Sequence, residues 1–364
     1  MNGSGSPRTG ARGARISARL RERLSTLGTL MALSSAAGAF YGVALSLSAT
    51  HGGAIESAVQ GLLSGLFISL LCGTADIFVL SNPQMRRIRA LPFLAFVALR
   101  VAVYGAGIVA GLRTPPFLLG RTEGLGVGAL LEPAFVQTFL ACFIIALAVA
   151  LGIEISRLLG PGVLLALISG RYHRPRREER VFLFADVENS TALAERIGDL
   201  EFHRFLAAVF ADWAEPVIRA RGETHRYVGD EIIVTWPAMR GVKRARCLVC
   251  VFAMRAAIEA RAGWYMAQFG VVPRFRAALH CGTVVTGEMG DQRKEIVFLG
   301  DTVNTTARLQ VACREKDVDL ILSGALVDRL PHDPHYALRA LGVWTPRGKS
   351  REVRLYTADP VERI

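Results

Sequence analysis

Four long apolar stretches dominate the first 155 residues of the chain. They cover residues 25–49, 55–80, 91–111 and 134–153, and each reaches the length of about 20 residues that a helix needs to cross the hydrocarbon core of a bilayer. Backbone groups in lipid must find hydrogen bonds within their own segment, so such a stretch is confined to a helix. The sequence therefore predicts a four-helix transmembrane domain.

The basic residues predict how these helices are oriented. Six arginines lie between Arg8 and Arg23, and Arg86, Arg87 and Arg89 lie between the second and third spans, whereas the segment between the first and second spans has no Lys or Arg. Because Lys and Arg favour the cytosolic side, both termini are expected in the cytosol. The lipid bilayer is thus an expected partner, and a bacterial inner membrane the expected location.

The net charge of +12 raises the alternative of nucleic-acid binding. Much of this excess lies immediately before the first apolar stretch, where anionic lipid head groups explain it. No surface that interleaves aromatic and basic residues is evident elsewhere in the sequence, and such surfaces are typical of single-strand binding proteins. No nucleic-acid partner is therefore expected.

The composition changes near residue 170, which predicts a second, cytosolic domain. The predicted segments are a basic N-terminal segment at 1–23, the transmembrane domain at 24–156, a membrane-proximal linker at 157–178 and a catalytic domain at 179–364. Two ionisable residues, Asp76 and Arg100, fall inside the spans. Such groups are costly in lipid and face the bundle interior, so they form either an interhelical polar clamp or a sensing site.

Strands and helices intermingle in the second half of the chain. A strand at 181–185 ends at Asp186, and a helix at 190–197 follows with Ser190 or Thr191 as its N-cap. A helix start beside a strand presents free backbone amides that suit a phosphate. Further along, the predicted elements are a helix at 200–221 stopped by Gly222, strands at 224–228, 232–236, 274–280, 284–288 and 295–299, and helices at 243–261 and 302–313.

Two glycines are given particular roles in these elements. Gly229 and Asp230 join two strands in a tight hairpin, which puts Asp230 at a strand tip. Gly282, between the strands at 274–280 and 284–288, is expected to supply a special backbone conformation.

Three motifs in this half resemble the class III adenylate and guanylate cyclases. They are FLFADVENSTALAERIG at 182–198, YVGDE at 227–231 and FLGDTVNTTARLQ at 298–310, and the resemblance covers residues 176–357. It implies an α+β ferredoxin-like class III nucleotidyl cyclase domain that works as a homodimer. With the apolar stretches, the predicted fold is an α-helical transmembrane bundle followed by this domain. The implied reaction converts ATP to 3′,5′-cyclic AMP and pyrophosphate.

The chemistry of such a reaction agrees with two of the motif residues. A 3′-hydroxyl must attack the α-phosphorus while pyrophosphate leaves, and two divalent ions lower the barrier by activating the hydroxyl and neutralising the phosphates. Carboxylates suit Mg²⁺ or Mn²⁺, which makes Asp186 and Asp230 the expected ligands. By resemblance, both aspartates bind two metals per site, and the carbonyl of Val187 helps to bind one.

The third motif supplies the expected transition-state residues. Asn304 and Arg308 are four residues apart, so a helix puts them on one face. By resemblance, Asn304 orients the ribose and Arg308 stabilises the phosphate in the transition state. A homodimer then builds composite sites, with Asp186 and Asp230 from one subunit and Asn304 and Arg308 from the other.

The remaining substrate-binding residues also follow from the resemblance. They are Glu188, Asn189, Ser190 and Thr191 beside the phosphates, Arg226 and Val297 at the base, and Arg347, with Lys349 as its alternative, at the triphosphate. Adenylate cyclases commonly carry Lys at the first base position and Asp or Thr at the second, and guanylate cyclases typically carry Glu at the first. Arg226 therefore favours ATP, and a guanylate cyclase or a cyclase-like nucleotide-binding receptor without turnover are the alternatives.

Overall fold

The chain forms two compact units, residues 1–155 and 156–364. The computed structural model describes residues 18–48, 53–80, 92–120, 127–159, 168–291, 294–333, 335–345 and 352–361. Most of the basic N-terminal segment, the three arginines between the second and third spans, part of the linker, and both Arg347 and Lys349 lie outside the described residues.

The first unit contains four long apolar helices: α1 (Ala18–Ser48), α2 (Ala54–Thr74), α3 (Phe93–Leu118) and α4 (Pro133–Leu159). A π-helical turn, Ala75–Leu80, extends α2. Each helix contains a stretch long and apolar enough to cross a membrane. The predicted transmembrane helices are therefore found, although the third extends seven residues beyond the predicted end at residue 111.

Glycines bring α1 and α2 into backbone contact. A Cβ atom on Gly38 would lie 2.1 Å from the carbonyl oxygen of Gly61, and one on Gly65 would lie 2.2 Å from that of Ser34. Small residues at such a crossing allow the close van der Waals packing on which helix association in lipid depends.

Asp76 and Arg100 connect the π-helical turn to α3. The Nη2 atom of Arg100 lies 2.5 Å from Oδ1 of Asp76, and the Asp76 side chain is only 3% exposed. The guanidinium also lies 5.9 Å from the centroid of the Tyr104 ring. The two residues thus form the predicted interhelical clamp, and a sensing role stays a hypothesis.

The second unit is built on one mixed sheet with helices on both faces. Its strands are β1 (Arg176–Val187), β2 (Glu223–Val228), β3 (Glu231–Pro237), β4 (Phe275–Met289), β5 (Glu295–Leu299), β6 (Leu320–Ser323), β7 (Tyr336–Trp344) and β8 (Val353–Pro360). The helices are α5 (Ser190–Ile197), α6 (Asp199–Arg219), α7 (Ala238–Val242), α8 (Arg246–Glu259), α9 (Ala262–Phe269), α10 (Asp301–Glu315) and α11 (Gly324–Val327).

The strand order is β2-β3-β1-β4-β6-β8-β7, with β5 also paired to β4. The pairing is antiparallel throughout, except between β4 and β6, which run parallel. This mixed sheet with helices is the α+β cyclase-type fold that the sequence predicts.

The central strand β1 is buried on both faces. Val181, Leu183 and Ala185 face a core that α6 and α8 complete, whereas Phe182 and Phe184 pack on the opposite face with Val284. Side chains of a strand alternate between its faces, so a strand that is apolar at every position must be covered on both sides. The burial of β1 fixes the place of Asp186, which lies one residue before the end of the strand.

Two predicted helix ends are wrong. Asn189, with φ of 55°, precedes α5, and neither Ser190 nor Thr191 is the N-cap. Helix α6 ends at Arg219 rather than Arg221, because Arg221 adopts a left-handed conformation and turns the chain. Gly222 has another role, since a Cβ atom there would lie 2.8 Å from the Trp236 ring.

The strands predicted at 274–280 and 284–288 form the single strand β4. Gly282 lies inside it without a positive φ, so the expected special backbone conformation is wrong. A Cβ atom at Gly282 would lie 2.5 Å from Oγ1 of Thr302. Gly282 is therefore required for the close approach of α10 to the sheet.

Candidate active site

Asp186 and Asp230 come from neighbouring strands and meet at one edge of the sheet. Asp186 is paired with Glu231 in the register of β1 and β3, and Asp230 lies in the turn just before β3. The backbone N–H of Val187 donates to the carbonyl oxygen of Asp230 at 3.4 Å. Burial and the nearby charge of Asp230 raise the pKa of Asp186 to about 6.

The donor chemistry of this pair fits a divalent cation. Two close carboxylates, one with a raised pKa, form a site where negative charge is costly until a cation neutralises it. Mg²⁺ characteristically takes one or two protein carboxylates together with substrate phosphates, rather than an all-protein cage.

A third carboxylate belongs to Glu231, the residue paired with Asp186 across β1 and β3. Burial and the charge of Asp186 raise the pKa of Glu231 to about 7. The concentration of acidic side chains at this edge is therefore greater than the motif residues alone indicate.

An open cavity of about 370 Å³ adjoins Asp186. It is lined by Asp186, Val187, Glu188, Asn189, Ser190, Thr191, Ala192, Arg276 and Arg314. Because Asn189 turns the chain in the left-handed conformation, the first residues of α5 line one wall. Unsatisfied backbone amides and the positive end of the helix dipole attract anions at such a helix start.

Two arginines supply the positive charge in this cavity. Arg276 on β4 has its Nε atom 3.2 Å from Oε1 of Glu188. Arg314, in the last turn of α10, has its Nη2 atom 2.9 Å from Oδ2 of Asp186. The cavity therefore combines carboxylates, guanidinium groups and a helix start, which suits a metal-bound polyphosphate.

A second cluster contains the predicted base-reading residues. Arg226 on β2 forms an ion pair with Glu295 at the start of β5, and Val297 follows two residues later, paired with Gly287 of β4. His225 packs edge-on against Phe298, with their ring centroids 4.8 Å apart. Burial, and secondarily the charge of Arg226, lowers the pKa of His225 to about 4.

Helix α10 carries the predicted transition-state residues. One side of the helix is buried and includes Thr302, Thr306 and Leu309. Asn304 is exposed and Arg308 is half-buried. The Nη1 atom of Arg308 is buried and has no hydrogen-bond partner among the described residues. A buried guanidinium nitrogen without a partner is costly, which marks Arg308 as a residue available to a ligand.

Comparison with known proteins identifies the family. Residues 173–357 match the family model of the adenylate and guanylate cyclase catalytic domain. The chain belongs to the adenylate and guanylate cyclase family. This confirms the resemblance drawn from the three motifs, and the enzyme is a class III cyclase.

The relatives of this cyclase extend the match beyond the catalytic unit. It is 36% identical over 341 residues to adenylate cyclase 2 of Rhizobium meliloti (strain 1021), which covers 92% of this chain and 91% of that protein. Adenylate cyclase 1 of the same organism is 26% identical over 190 residues, 51% of this chain and 28% of that protein. The first alignment is therefore too long to be confined to the catalytic unit, and it extends into the unit of apolar helices.

A solved structure shares the fold. A bacterial light-regulated adenylyl cyclase superposes with a TM-score of 0.54 at 16% identity, covering 63% of this chain and 67% of that chain. At this identity the likeness shows the fold of the cyclase and nothing finer.

The predicted site residues of the cyclase fall into three groups. The six residues from Asp186 to Thr191 line the cavity, and Asp230 adjoins Asp186. Arg226 and Val297 lie in the second cluster, and Asn304 and Arg308 lie on α10. None of these last four lines the cavity formed by the described residues of one chain, and Arg347 lies outside the described residues.

Four charged residues of these clusters were not predicted from the sequence: Glu231, Arg276, Glu295 and Arg314. Glu231 follows directly after Asp230, so its position near the carboxylate pair could have been predicted from the sequence. Arg276 and Arg314 lie 90 and 128 residues after Asp186, and only the strand pairing and the placement of α10 bring them to the cavity.

Proposed function

We propose that this chain is an adenylate cyclase of the cell inner membrane that converts ATP to 3′,5′-cyclic AMP and pyrophosphate. Both termini and the catalytic unit lie in the cytosol, and the enzyme acts as a homodimer. The observation that carries the proposal is that Asp186, the neighbour of Asp230, lines a cavity together with two guanidinium groups and a helix start. The name of the relative that matches over most of the chain supports adenine as the base.

The carboxylate pair is assigned to metal binding. Asp186 and Asp230, with the backbone carbonyl of Val187, would hold two Mg²⁺ or Mn²⁺ ions, which supply charge neutralisation of the phosphates and a lower pKa of the 3′-hydroxyl. The chain itself holds these ligands in place, because β1 and the β2–β3 turn are tied by the hydrogen bond from Val187 to Asp230.

The start of α5 and Arg276 are assigned to the triphosphate. The amides of Asn189, Ser190 and Thr191 lie where the helix dipole favours negative charge. The N–H of Glu188 already donates to the carbonyl of Arg274 at 2.9 Å, so Glu188 contributes through its carboxylate, which forms an ion pair with Arg276 at 3.2 Å. A bidentate guanidinium suits phosphate oxygens.

A second copy of the chain is assigned the ribose and transition-state contacts. Asn304 would orient the ribose so that the 3′-hydroxyl is in line with the α-phosphorus. Arg308 would stabilise the charge that develops on the phosphate oxygens. Since neither residue lines the cavity that the described residues of its own chain form, a symmetric dimer that presents α10 to the cavity of its partner would complete two sites.

The base is assigned to the Arg226 cluster. Arg226 offers donors and Glu295 offers acceptors, whereas Val297 offers only its backbone. The family's guanylate cyclases typically carry Glu at the position of Arg226, so this residue favours ATP over GTP. The side chains of Arg226 and Glu295 would therefore form the hydrogen bonds to the base that the side chain of Val297 cannot form.

The test is an assay of the purified full chain in detergent or lipid nanodiscs. With Mn²⁺ and either ATP or GTP, we expect cyclic AMP from ATP, and we expect the near-isosteric Asp230→Asn variant to abolish it. Cyclic GMP as the main product would make the enzyme a guanylate cyclase. No product from either nucleotide would favour a nucleotide-binding receptor without turnover.

A further inference from the structure

Arg314 lies at the cavity, outside all three motifs of the sequence. It is in the last turn of α10, and its Nη2 atom is 2.9 Å from Oδ2 of Asp186. Its side chain is 67% exposed, whereas that of Asp186 is 18% exposed. A long, exposed guanidinium therefore reaches one of the proposed metal ligands of its own chain.

The position of Arg314 on α10 separates it from the transition-state residues. Arg308 and Arg314 are six residues apart, which puts them about 120° apart around a helix of 3.6 residues per turn. Arg308 therefore cannot share a face with Arg314. If Arg308 serves the cavity of the partner, α10 contributes to both sites of a dimer, with Arg314 at the cavity of its own chain.

The other guanidinium group that lines this cavity, that of Arg276, has a carboxylate partner outside the proposed metal ligands. Its Nε atom lies 3.2 Å from Oε1 of Glu188. Arg314 instead contacts Asp186, a residue assigned to divalent cations. A cation held by Asp186 would repel Arg314 unless an anion lies between them.

We propose that Arg314 is a polyphosphate-binding residue that belongs to the same chain as Asp186. In the nucleotide-free enzyme its guanidinium pairs with the Asp186 carboxylate, and it turns to the β- and γ-phosphates when the triphosphate enters the cavity. There it balances charge on the departing pyrophosphate. The proposal rests on the proposed function, and it adds a second guanidinium to the phosphate site beside Arg276.

The physical grounds are charge and geometry. A guanidinium is permanently charged and its fork matches phosphate oxygens. The 67% exposure of Arg314 leaves its side chain free of packing that would hold it on Asp186. Its ion pair with Asp186 is therefore a surface-type contact of small net stability, which a more highly charged phosphate can replace.

The test compares Arg314→Gln and Arg314→Lys with a matched control. The control is Arg219→Gln, because Arg219 is 59% exposed and pairs with Glu215 at 3.1 Å, away from the cavity. Binding of inorganic pyrophosphate to the full chain is measured by calorimetry with Mg²⁺ and with chelator. Mn²⁺ binding without phosphate is measured by electron paramagnetic resonance.

We expect Arg314→Gln to weaken pyrophosphate binding about ten-fold or more, the size of a lost charge-assisted hydrogen bond. Arg314→Lys should keep part of the affinity and Arg219→Gln all of it, and the KM for ATP should rise with pyrophosphate affinity. Pyrophosphate affinity unchanged in Arg314→Gln, or lowered equally in Arg219→Gln, would overturn the proposal. A change confined to Mn²⁺ binding would also overturn it, since Arg314 would then be only a counter-ion of Asp186.

Failure of the proposed function can be distinguished from failure of this proposal, because cyclic nucleotide formation and pyrophosphate binding are measured separately. An enzyme that binds pyrophosphate through Arg314 but forms no cyclic nucleotide would retain this phosphate site and lose the cyclase assignment.

Discussion

The backbone N–H of Val187 donates to the carbonyl oxygen of Asp230 at 3.4 Å, which ties the end of β1 to the turn of the β2–β3 hairpin. This contact holds the carboxylates of Asp186 and Asp230 together although burial and mutual charge raise the pKa of Asp186 to about 6. The pair is therefore held against its own repulsion, an arrangement that is typical of functional sites.

The first prediction separates function from stability at this pair. Asp230→Asn should lower cyclase activity at least about a hundred-fold, yet leave the metal-free thermal unfolding temperature unchanged or higher, because it removes a repulsive charge. Product formation and unfolding are measured on the same preparation. Loss of activity together with a lower unfolding temperature would instead make Asp230 a structural residue.

The second prediction concerns base recognition. Arg226→Ala should lower kcat/KM for ATP about ten-fold, the effect of one lost charged hydrogen bond, and Glu295→Gln should reduce the preference for ATP over GTP because it removes the carboxylate that pairs with Arg226. Glu201→Gln, which breaks the exposed pair with Arg204 on α6, is the control. Unaltered nucleotide preference in both cluster variants would contradict a base-reading role.

Much of the fold could be predicted because strong periodic signals extend over long segments. The four apolar stretches and the buried strand β1 are of this kind. The errors arose at single residues, where a backbone conformation decided the outcome. Asn189 and Arg221 take the left-handed conformation, and Gly282 is needed for space rather than for its φ.

The third prediction follows from His225. Burial, Arg226 and Arg180 lower its pKa from 6.5 to about 4. Between these values the unfolded chain takes up a proton that the folded chain does not, so stability from this group is full above about pH 6.5 and is lost as the pH falls toward 4. His225→Phe should flatten the fall in unfolding temperature between pH 7 and 5. An equally steep fall in the variant would refute this.

The fourth prediction concerns the clamp in the membrane unit. Asp76→Leu alone should destabilise the protein by about 3–5 kcal/mol, because it leaves Arg100 without its carboxylate. Asp76→Leu with Arg100→Leu should recover much of that loss, since no buried charge remains. Thermal unfolding of the full chain in detergent measures both. A double variant less stable than the single one would show that the two positions do not act as a pair.

Only some residues of the candidate site could be predicted from the sequence. Asp186, Asp230, Asn304 and Arg308 lie in motifs that resemble the class III cyclases, and that resemblance implies their roles. Arg314 and Glu295 acquire their place from tertiary structure, because Arg314 meets Asp186 across 128 residues and Glu295 meets Arg226 across 69. No local sequence pattern predicts a contact between residues so far apart in the chain.

The most direct test of a composite cyclase site measures the cyclic AMP formed by two inactive full-length variants, Asp186→Ala and Arg308→Ala, that are co-expressed so that mixed dimers form. Each variant alone should form almost none. In a randomly paired mixture half of the dimers are mixed, and each has one intact site of two, so about a quarter of the wild-type activity should return. A mixture as inactive as its components, despite normal dimer formation, would contradict a site built from two chains.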